Sequence, residues 1–315
     1  MTNTVLVTGG GGFIGTWVLR ELLSRGLSPI SYDKQLNAAR WKSILGDDAS
    51  KVHVVEGSLL DRASLSRVVT EYHVSHIIHL AALLTPDCQQ DPFVGCEVNI
   101  MGSVGVFELA RINAGQIKGI SYASSYAVYG PEADDNSLGL KGADNRPPSF
   151  YGAFKMAFDL IAEQYWRHFQ IASVGIRPHV AYGPERTVGL TAGPSQAARA
   201  AAVGEPYSIN YRGRVGYDYV EDVALAFVRS ALETPPGSTV VDLPSQLATT
   251  EEFVQIIERV VPGSGTRIAV NGPEIPSNIP PKPYFISSLF PDWQPVTLED
   301  GVRRTVEFYR KKSPA

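Results

Sequence analysis

Cysteine is scarce: two residues in 315, Cys88 and Cys96. They lie eight apart in a predicted loop-to-helix segment, a pattern that suits buried thiols in a reducing compartment better than a disulfide. No unbroken apolar run approaches the roughly 18 residues a membrane-spanning helix needs. The N-terminus enters an apolar strand by Thr4 without a basic leader, so a cytoplasmic location is expected. Cationic clusters are also missing, and the formal charge is -4. Nucleic acid and anionic membrane therefore have no electrostatic case as partners, and a small molecule is expected. There is no internal repeat and no low-complexity tract.

Glycine, by contrast, is concentrated near the start. Thr8-Gly9-Gly10-Gly11-Gly12-Phe13-Ile14-Gly15 follows the apolar run Val5-Leu6-Val7 and opens an amphipathic segment. A strand, a tight turn and a helix N-terminus in that order make a phosphate site, because first-turn N–H groups lack partners and the helix dipole adds positive potential. In this reading Gly9 permits the turn, Gly12 lets phosphates approach the backbone, and Gly15 lets helix and strand pack closely. A second apolar run, Pro29-Ile30-Ser31-Tyr32, ends in Asp33, about 20 residues past the loop, where a ribose-binding carboxylate belongs. Asp33 would accept from ribose hydroxyls and repel a 2′-phosphate, favouring NAD over NADP, although Lys34 and Arg40 lie close by.

Downstream, short apolar strands alternate with longer helices. Helix A is predicted from about Phe13 to Arg25, with Gly26 ending it. Strands are expected at Val52-Val55, Ser75-Leu80, Ile120-Ala123 and Ala172-Ile176, and Asp61 should cap the helix carrying Leu65, Val68 and Val69. A long helix is predicted from about Asp91 to Ala114, and another from near Ser149 to Phe169. Between them, Pro131, Gly139, Gly142, Pro147 and Pro148 mark a long irregular loop of the kind that carries function. His76 and His79, three apart on a strand, point to opposite faces and make no metal pair. This pattern defines an α/β fold, a doubly wound parallel (Rossmann) sheet with a smaller C-terminal substrate-binding region. Residues 1–178 form the NAD-binding part, with 219–242 returning to it; 179–218 and 243–315 form the small domain. Ligand belongs at the C-terminal strand ends, where the glycine loop, Asp33, Ala81 and Ser125 fall.

Tyr151-Gly152-Ala153-Phe154-Lys155 places a phenol and an ammonium one helical turn apart on the same face. Bringing a phenol from about 10 to near 7 takes roughly 4 kcal/mol of preference for the anion. A nearby cation in a desolvated cleft can supply much of it. Ser125, at the end of a predicted strand, would hydrogen-bond the same substrate oxygen, with Ser124 as the competing choice.

These motifs together resemble the extended short-chain dehydrogenase/reductases, in their NAD-dependent epimerase/dehydratase group of sugar-modifying enzymes. The resemblance covers nearly the whole chain. Thr8 to Gly15 matches the T-G-x-x-G-x-x-G loop, and His79-Leu80-Ala81-Ala82 resembles the end of strand 4. Val98-Asn99-Ile100-Met101-Gly102 is similar to the family's helix pattern, and Ser125 precedes Val128-Tyr129-Gly130. Tyr151 and Lys155 fall on Y-x-x-x-K, Arg177-Pro178 with Tyr182-Gly183-Pro184 on R-P-x-x-x-Y-G-P, and Tyr219 to Asp222 on the late acidic motif. The resemblance implies hydride transfer from a secondary alcohol to NAD, with Tyr151 as general base, Lys155 holding the nicotinamide ribose and lowering the tyrosine pKa, and Ser125 binding the reacting oxygen. It also implies cofactor contacts from Gly9, Gly12, Phe13, Ile14, Gly15, Asp33, Leu60, Ala81, Ala82 and Asn99. Substrate contacts are implied at Leu83, Thr85, Ser125, Tyr126, His179 and Arg214. A homodimer through the helices spanning about 92–114 and 150–169 is implied as well.

Three features depart from the nucleotide-sugar members. His179 stands where they usually carry Asn against the diphosphate, and Val215 stands where they commonly place Arg, with Arg212 and Arg214 offset. The stretch Gly189 to Ser195 also lacks their Asn-rich nucleotide-binding pattern. Three functions therefore stay open: a sugar epimerase or dehydratase, a dehydrogenase of a nucleotide-free sugar acid or polyol, and a non-catalytic NAD sensor.

Overall fold

The structure is a computed structural model that describes residues 3–130, 147–275 and 283–312. Most of the loop expected between Pro131 and Pro148 lies outside the described residues. The chain divides into two compact units, one of Met1–Arg177, Ala224–Asp242 and Pro280–Tyr284, the other of Pro178–Val223, Leu243–Ile279 and Phe285–Ala315.

The first unit begins with β1 (Thr4–Thr8), α1 (Phe13–Ser24), β2 (Ser28–Asp33), α2 (Ala38–Leu45), β3 (His53–Glu56), α3 (Arg62–Glu71) and β4 (His76–His79). It continues with α4 (Thr85–Gln90), α5 (Pro92–Cys96), a π turn over Glu97–Gly102, α6 (Ser103–Ile112), β5 (Gly119–Ala123), α7 (Phe150–Phe169) and β6 (Ser173–Arg177). Its seven-stranded sheet is parallel throughout and is completed by a strand at Ser238–Asp242, which pairs with β6. Along the sheet the order runs from that strand through β6, β5, β4, β1 and β2 to β3. The connections reverse direction between β1 and β4, so the loops leaving those strands open a crevice at their C-terminal ends.

Central strands buried on both faces read as apolar runs. Leu6, Ile30, Ile77 and Ile120 are inaccessible, Phe107, Tyr122 and Phe158 pack edge to face beside them, and Tyr165 tilts against Phe107. Gly26 closes α1 with a φ of +70°, and Asp61 caps α3 by accepting from the Ser64 N–H. The expected single helix over 91–114 is interrupted by the π turn, which places Asn99 inside, at 3% exposure.

One stretch corrects the expectation about apolar length. The helical run Pro92–Ile112, 21 residues, is long and apolar enough by length and composition to cross a membrane. Within it 56% of the apolar window is buried, and α6 packs against α3 and α7 as a core helix does.

The second unit contains β7 (Val180–Tyr182), α8 (Gly193–Val203), β8 (Tyr207–Ile209) and β9 (Arg214–Tyr219). The helix α9 (Val220–Leu232) carries the chain from this unit back to the first, where β10 (Ser238–Asp242) is the returning strand named above. The second unit resumes with β11 (Gln246–Thr249), α10 (Thr250–Val260), β12 (Ile268–Val270) and α11 (Leu298–Arg310). Here β9 is flanked by β11, antiparallel, and β7, parallel. Tyr182, Tyr217 and Phe253 interlock at its core.

Candidate active site

The glycine turn is built for close approach. Gly9 has a φ of +78°, and a Cβ there would lie 2.7 Å from the Ala81 nitrogen; a Cβ on Gly15 would lie 2.1 Å from the Gly9 carbonyl oxygen. Those two positions lock β1 to the end of β4 and α1 to the turn. Gly12 differs, because a Cβ there would meet only the Gly9 oxygen, at 3.1 Å. It caps α1 without a side-chain bond, and the first turn holds no acidic residue, whereas Asn37, Asp61 and Ser149 each cap their helices with a side chain. First-turn N–H groups left in this way suit a pyrophosphate. Phe13 and Ile14 are half-buried beside them.

Asp33 ends β2 and accepts from the Gly11 N–H through Oδ2 at 2.9 Å, while its Oδ1 has a long 3.5 Å contact with the Gln35 N–H. Two residues that the sequence reading did not single out for this task brace the loop from α2. Arg40, 7% exposed, donates from Nη1 to the Gly11 carbonyl at 2.9 Å, and Trp41 donates from Nε1 to the Gly10 carbonyl at 3.2 Å. The signal was present: Asn37 caps a helix immediately after Asp33, which puts residues 40 and 41 in its first turns. Arg40 is thus committed to the loop backbone, and Lys34 stands exposed.

A polar wire links β1, β4 and α6. Ser103 Oγ donates to the Asn99 carbonyl at 2.8 Å, so it accepts from His79 Nε2, also at 2.8 Å. That leaves His79 Nδ1 to accept from the Thr8 hydroxyl at 2.7 Å. Complete burial holds His79 neutral, with its pKa brought down to about 3. Asn99, expected at the cofactor, holds Leu83: its Oδ1 accepts from the Leu83 N–H at 2.8 Å and its Nδ2 donates to the Leu83 carbonyl at 2.9 Å. Ala81 and Ala82 follow β4 half-buried, Thr85 opens α4, and Leu60 is exposed in the turn after β3. Both cysteines are free thiols, Cys88 buried and Cys96 half-buried. The Cys88 thiol donates to the Leu83 carbonyl and is pushed up by burial.

Tyr151, Lys155 and Ser125 come together. Gly152 lets α7 pack against the turn after β5, since a Cβ there would sit 2.1 Å from the Ala127 oxygen. The Ser125 hydroxyl lies close enough to the Tyr151 phenol to favour its ionised form, and it accepts from the Ala127 N–H at 3.1 Å. Lys155 Nζ lies 5.6 Å from the centre of the Tyr151 ring and donates to the Ala123 carbonyl at 2.6 Å. Ser124 faces elsewhere, donating to Asp159 Oδ2 at 2.9 Å, and Tyr126 is buried against Tyr129. A lowered Tyr151 pKa was expected, but burial pushes the phenol up to about 12, opposed by Ser125. The same burial draws Lys155 down to about 8, with Asp159 opposing.

In the second unit His179 is bound on both sides by its own sheet neighbours. Its N–H donates to Asp218 Oδ2 at 2.7 Å, and its ring Nδ1 accepts from the Gly216 N–H at 2.8 Å. Burial lowers its pKa to about 4. Arg214 is exposed, 3.9 Å from Glu252, and its neighbour Val215 is 1% exposed. Among the described residues no three His, Cys, Asp or Glu side chains converge as a metal site.

A doubly wound parallel sheet, a glycine turn at its switch point and an uncapped helix behind that turn define a dinucleotide-binding α/β protein. The sequence model of the NAD dependent epimerase/dehydratase family matches residues 5–241, and the chain belongs to that family of NAD-dependent enzymes. It is 28% identical to UDP-glucose 4-epimerase of Mycolicibacterium smegmatis, over 98% of this chain and 99% of that one. Over 58% of this chain and 43% of the relative, it is 33% identical to UDP-glucuronate 4-epimerase 3 of Arabidopsis thaliana. Its fold matches that of the UDP-glucose 4-epimerase of Thermus thermophilus, solved in complex with NAD, with a TM-score of 0.78 at 24% identity; 98% of this chain and 99% of the other are covered.

Proposed function

We propose that this chain acts on a secondary alcohol of a sugar or sugar-derived substrate, with the net outcome of an epimerase or dehydratase. The observation that carries the reading is the convergence of Ser125 and Lys155 on Tyr151, with Lys155 one turn further along α7 and 5.6 Å from the phenol ring. The glycine turn, Asp33, Ala81 and Ala82 would hold NAD, which supplies the hydride acceptor. Asn99 serves it indirectly, by fixing Leu83 and the segment after β4. Tyr151 takes the proton of the reacting hydroxyl and returns it, and Ser125 donates to the reacting oxygen. Lys155 binds the nicotinamide ribose and favours the phenolate. Because burial raises the Tyr151 pKa, that cation is what the reaction depends on. Residues 179–218 and 243–315 supply the substrate region. Exposed Phe93 and Met101 on the run before α6, and Leu160 and Phe169 on α7, support a homodimer through these helices.

A second reading, a dehydrogenase of a nucleotide-free sugar acid or polyol, is favoured by Val215 and His179. At the two positions where diphosphate contacts are expected, one side chain is apolar and buried, and the other is bonded to its own sheet. Denaturing the protein as purified and identifying any released nucleotide separates the two. Stoichiometric NAD or NADH supports a closed epimerase-type cycle, and an empty protein that binds added NAD reversibly supports the dehydrogenase. Tyr151→Phe should abolish turnover under either reading, and full activity in that variant would remove both.

A further inference from the structure

Three consecutive residues leaving β5 meet three successive turns of α7. Ser125 acts on the Tyr151 phenol, the Ala123 carbonyl accepts from Lys155, and Ser124 donates to Asp159. Tyr151, Lys155 and Asp159 stand at i, i+4 and i+8, one face of the helix. Only the first two were singled out from the sequence.

Asp159 is 7% exposed and doubly held. Its Oδ2 accepts from Ser124 at 2.9 Å and from Arg177 Nη2, on β6, at 2.7 Å. The same guanidinium donates from Nη1 to the Tyr129 hydroxyl at 2.6 Å, and that hydroxyl donates to Asp242 Oδ1 at 2.9 Å. Burial raises the Asp159 pKa, and the Arg177 guanidinium in contact with the carboxyl and the Ser124 bond both act in favour of its charge. Among the described residues, the hydrogen-bond acceptor of Lys155, one turn away, is the neutral Ala123 carbonyl. Burial works against its ammonium, and among the groups acting on it Asp159 is the largest in favour of the charge.

We propose that Asp159 is a positioning residue for proton transfer: its carboxylate, fixed by Ser124 and Arg177, keeps Lys155 cationic and at the height of Tyr151. This rests on the reading of Tyr151 and Lys155 as the acid–base pair. The groups facing Lys155 are Tyr151 and Asp159 from its own helix, Cys88 from α4 and neutral His79 from β4. Those facing Asp159 are Arg177 from β6, Ser124 and Tyr122 from β5 and its end, and Asp242 from β10. Lys155 Nζ lies 5.6 Å from the centre of the Tyr151 ring and Asp159 stands a further turn along the helix, so an effect of Asp159 on the phenol passes through Lys155.

The sign follows. With residue 159 neutral, Lys155 releases its proton at lower pH, the phenolate loses its cation, and Tyr151 ionises at higher pH. The probe is the phenolate itself, followed by ultraviolet difference titration of the NAD-loaded protein, with Tyr151→Phe subtracted to isolate residue 151. In Asp159→Asn the transition is expected about one pH unit or more higher, a tenfold loss of phenolate at fixed pH. Asp159→Glu should restore the wild-type midpoint. If Asp159→Asn fails to fold because Arg177 is left uncompensated, the pair Asp159→Asn with Arg177→Gln is titrated instead, with the same shift expected. An unmoved midpoint, with only thermal stability reduced, would leave Asp159 a purely structural partner of Arg177 and overturn the proposal. Absence of any residue-151 phenolate below the free-phenol range in the wild type would instead overturn the acid–base reading on which it rests.

Discussion

Arg40 donates from Nη1 to the Gly11 carbonyl at 2.9 Å, so a side chain from α2 holds the centre of the glycine turn in place. Together with Asp33 accepting from the Gly11 N–H, it fixes both sides of that residue's backbone. The charge that the sequence left as a possible lure for a 2′-phosphate is buried and hydrogen-bonded to the protein.

Arg40→Leu should therefore weaken NAD binding instead of altering the choice between NAD and NADP. A hydrogen bond to a charged group contributes about 1.5–3 kcal/mol, so a rise of roughly tenfold or more in the NAD dissociation constant is expected. Calorimetric titration with both dinucleotides tests this. A fall in NADP affinity alone would show that Arg40 reads the ribose.

Gly15→Ala should eliminate the turn. The new methyl would sit 2.1 Å from the Gly9 oxygen, a backbone atom fixed by the Gly9 N–H bond to the Tyr32 carbonyl. Overpacking of this kind costs about 1–3 kcal/mol, read as a lower unfolding midpoint together with loss of NAD binding. Gly12→Ala meets only one atom at 3.1 Å, so it should keep nearly wild-type stability and lose affinity for the cofactor. Equal destabilisation of the two variants would mean that Gly12 also serves packing and not phosphate approach.

The outline of this arrangement was legible in the sequence for local reasons. A cap such as Asp61 followed by Leu65, Val68 and Val69, or an apolar run such as Thr239 to Asp242, announces its element within a few residues. Tyr151 and Lys155 share a face by helical periodicity alone. What the sequence could not convey depends on distant partners. Periodicity does not reveal the one extra residue per turn over Glu97–Gly102 that turns Asn99 toward Leu83. Neither does it reveal that Arg40 reaches Gly11, or that burial raises the Tyr151 pKa when the Y-x-x-x-K spacing suggested the opposite.

His79 carries a pH dependence of stability whose direction is fixed. Its folded-state pKa, about 3, lies below the ordinary 6.5, so the neutral ring is required by the fold. The contribution is complete above about 6.5 and is lost as pH falls toward 3. Denaturant midpoints measured from pH 8 to 4 should decline through that window. His79→Gln, whose amide can accept from Thr8 and donate to Ser103, should flatten the decline. An identical slope in the variant would place the acid sensitivity elsewhere, with His179, brought down to about 4 by burial, the next group to test.

Ser124 and Ser125 are adjacent and chemically identical, yet they point to different partners because successive residues leaving a strand alternate in direction. Ser125 meets Tyr151, and Ser124 meets Asp159. Ser125→Ala should therefore reduce kcat by two to three orders of magnitude, the scale for loss of a donor to a reacting oxygen, while thermal stability stays close to wild type. Ser124→Ala removes a buried bond to a charged carboxylate that Arg177 still holds. It should lower unfolding free energy by about 1–3 kcal/mol, with a smaller effect on turnover. Measuring both quantities on both variants is decisive, because the two serines then separate along perpendicular axes. A large kcat loss in Ser124→Ala with stability intact would reassign the substrate-facing hydroxyl to Ser124 and reverse the reading of this strand end.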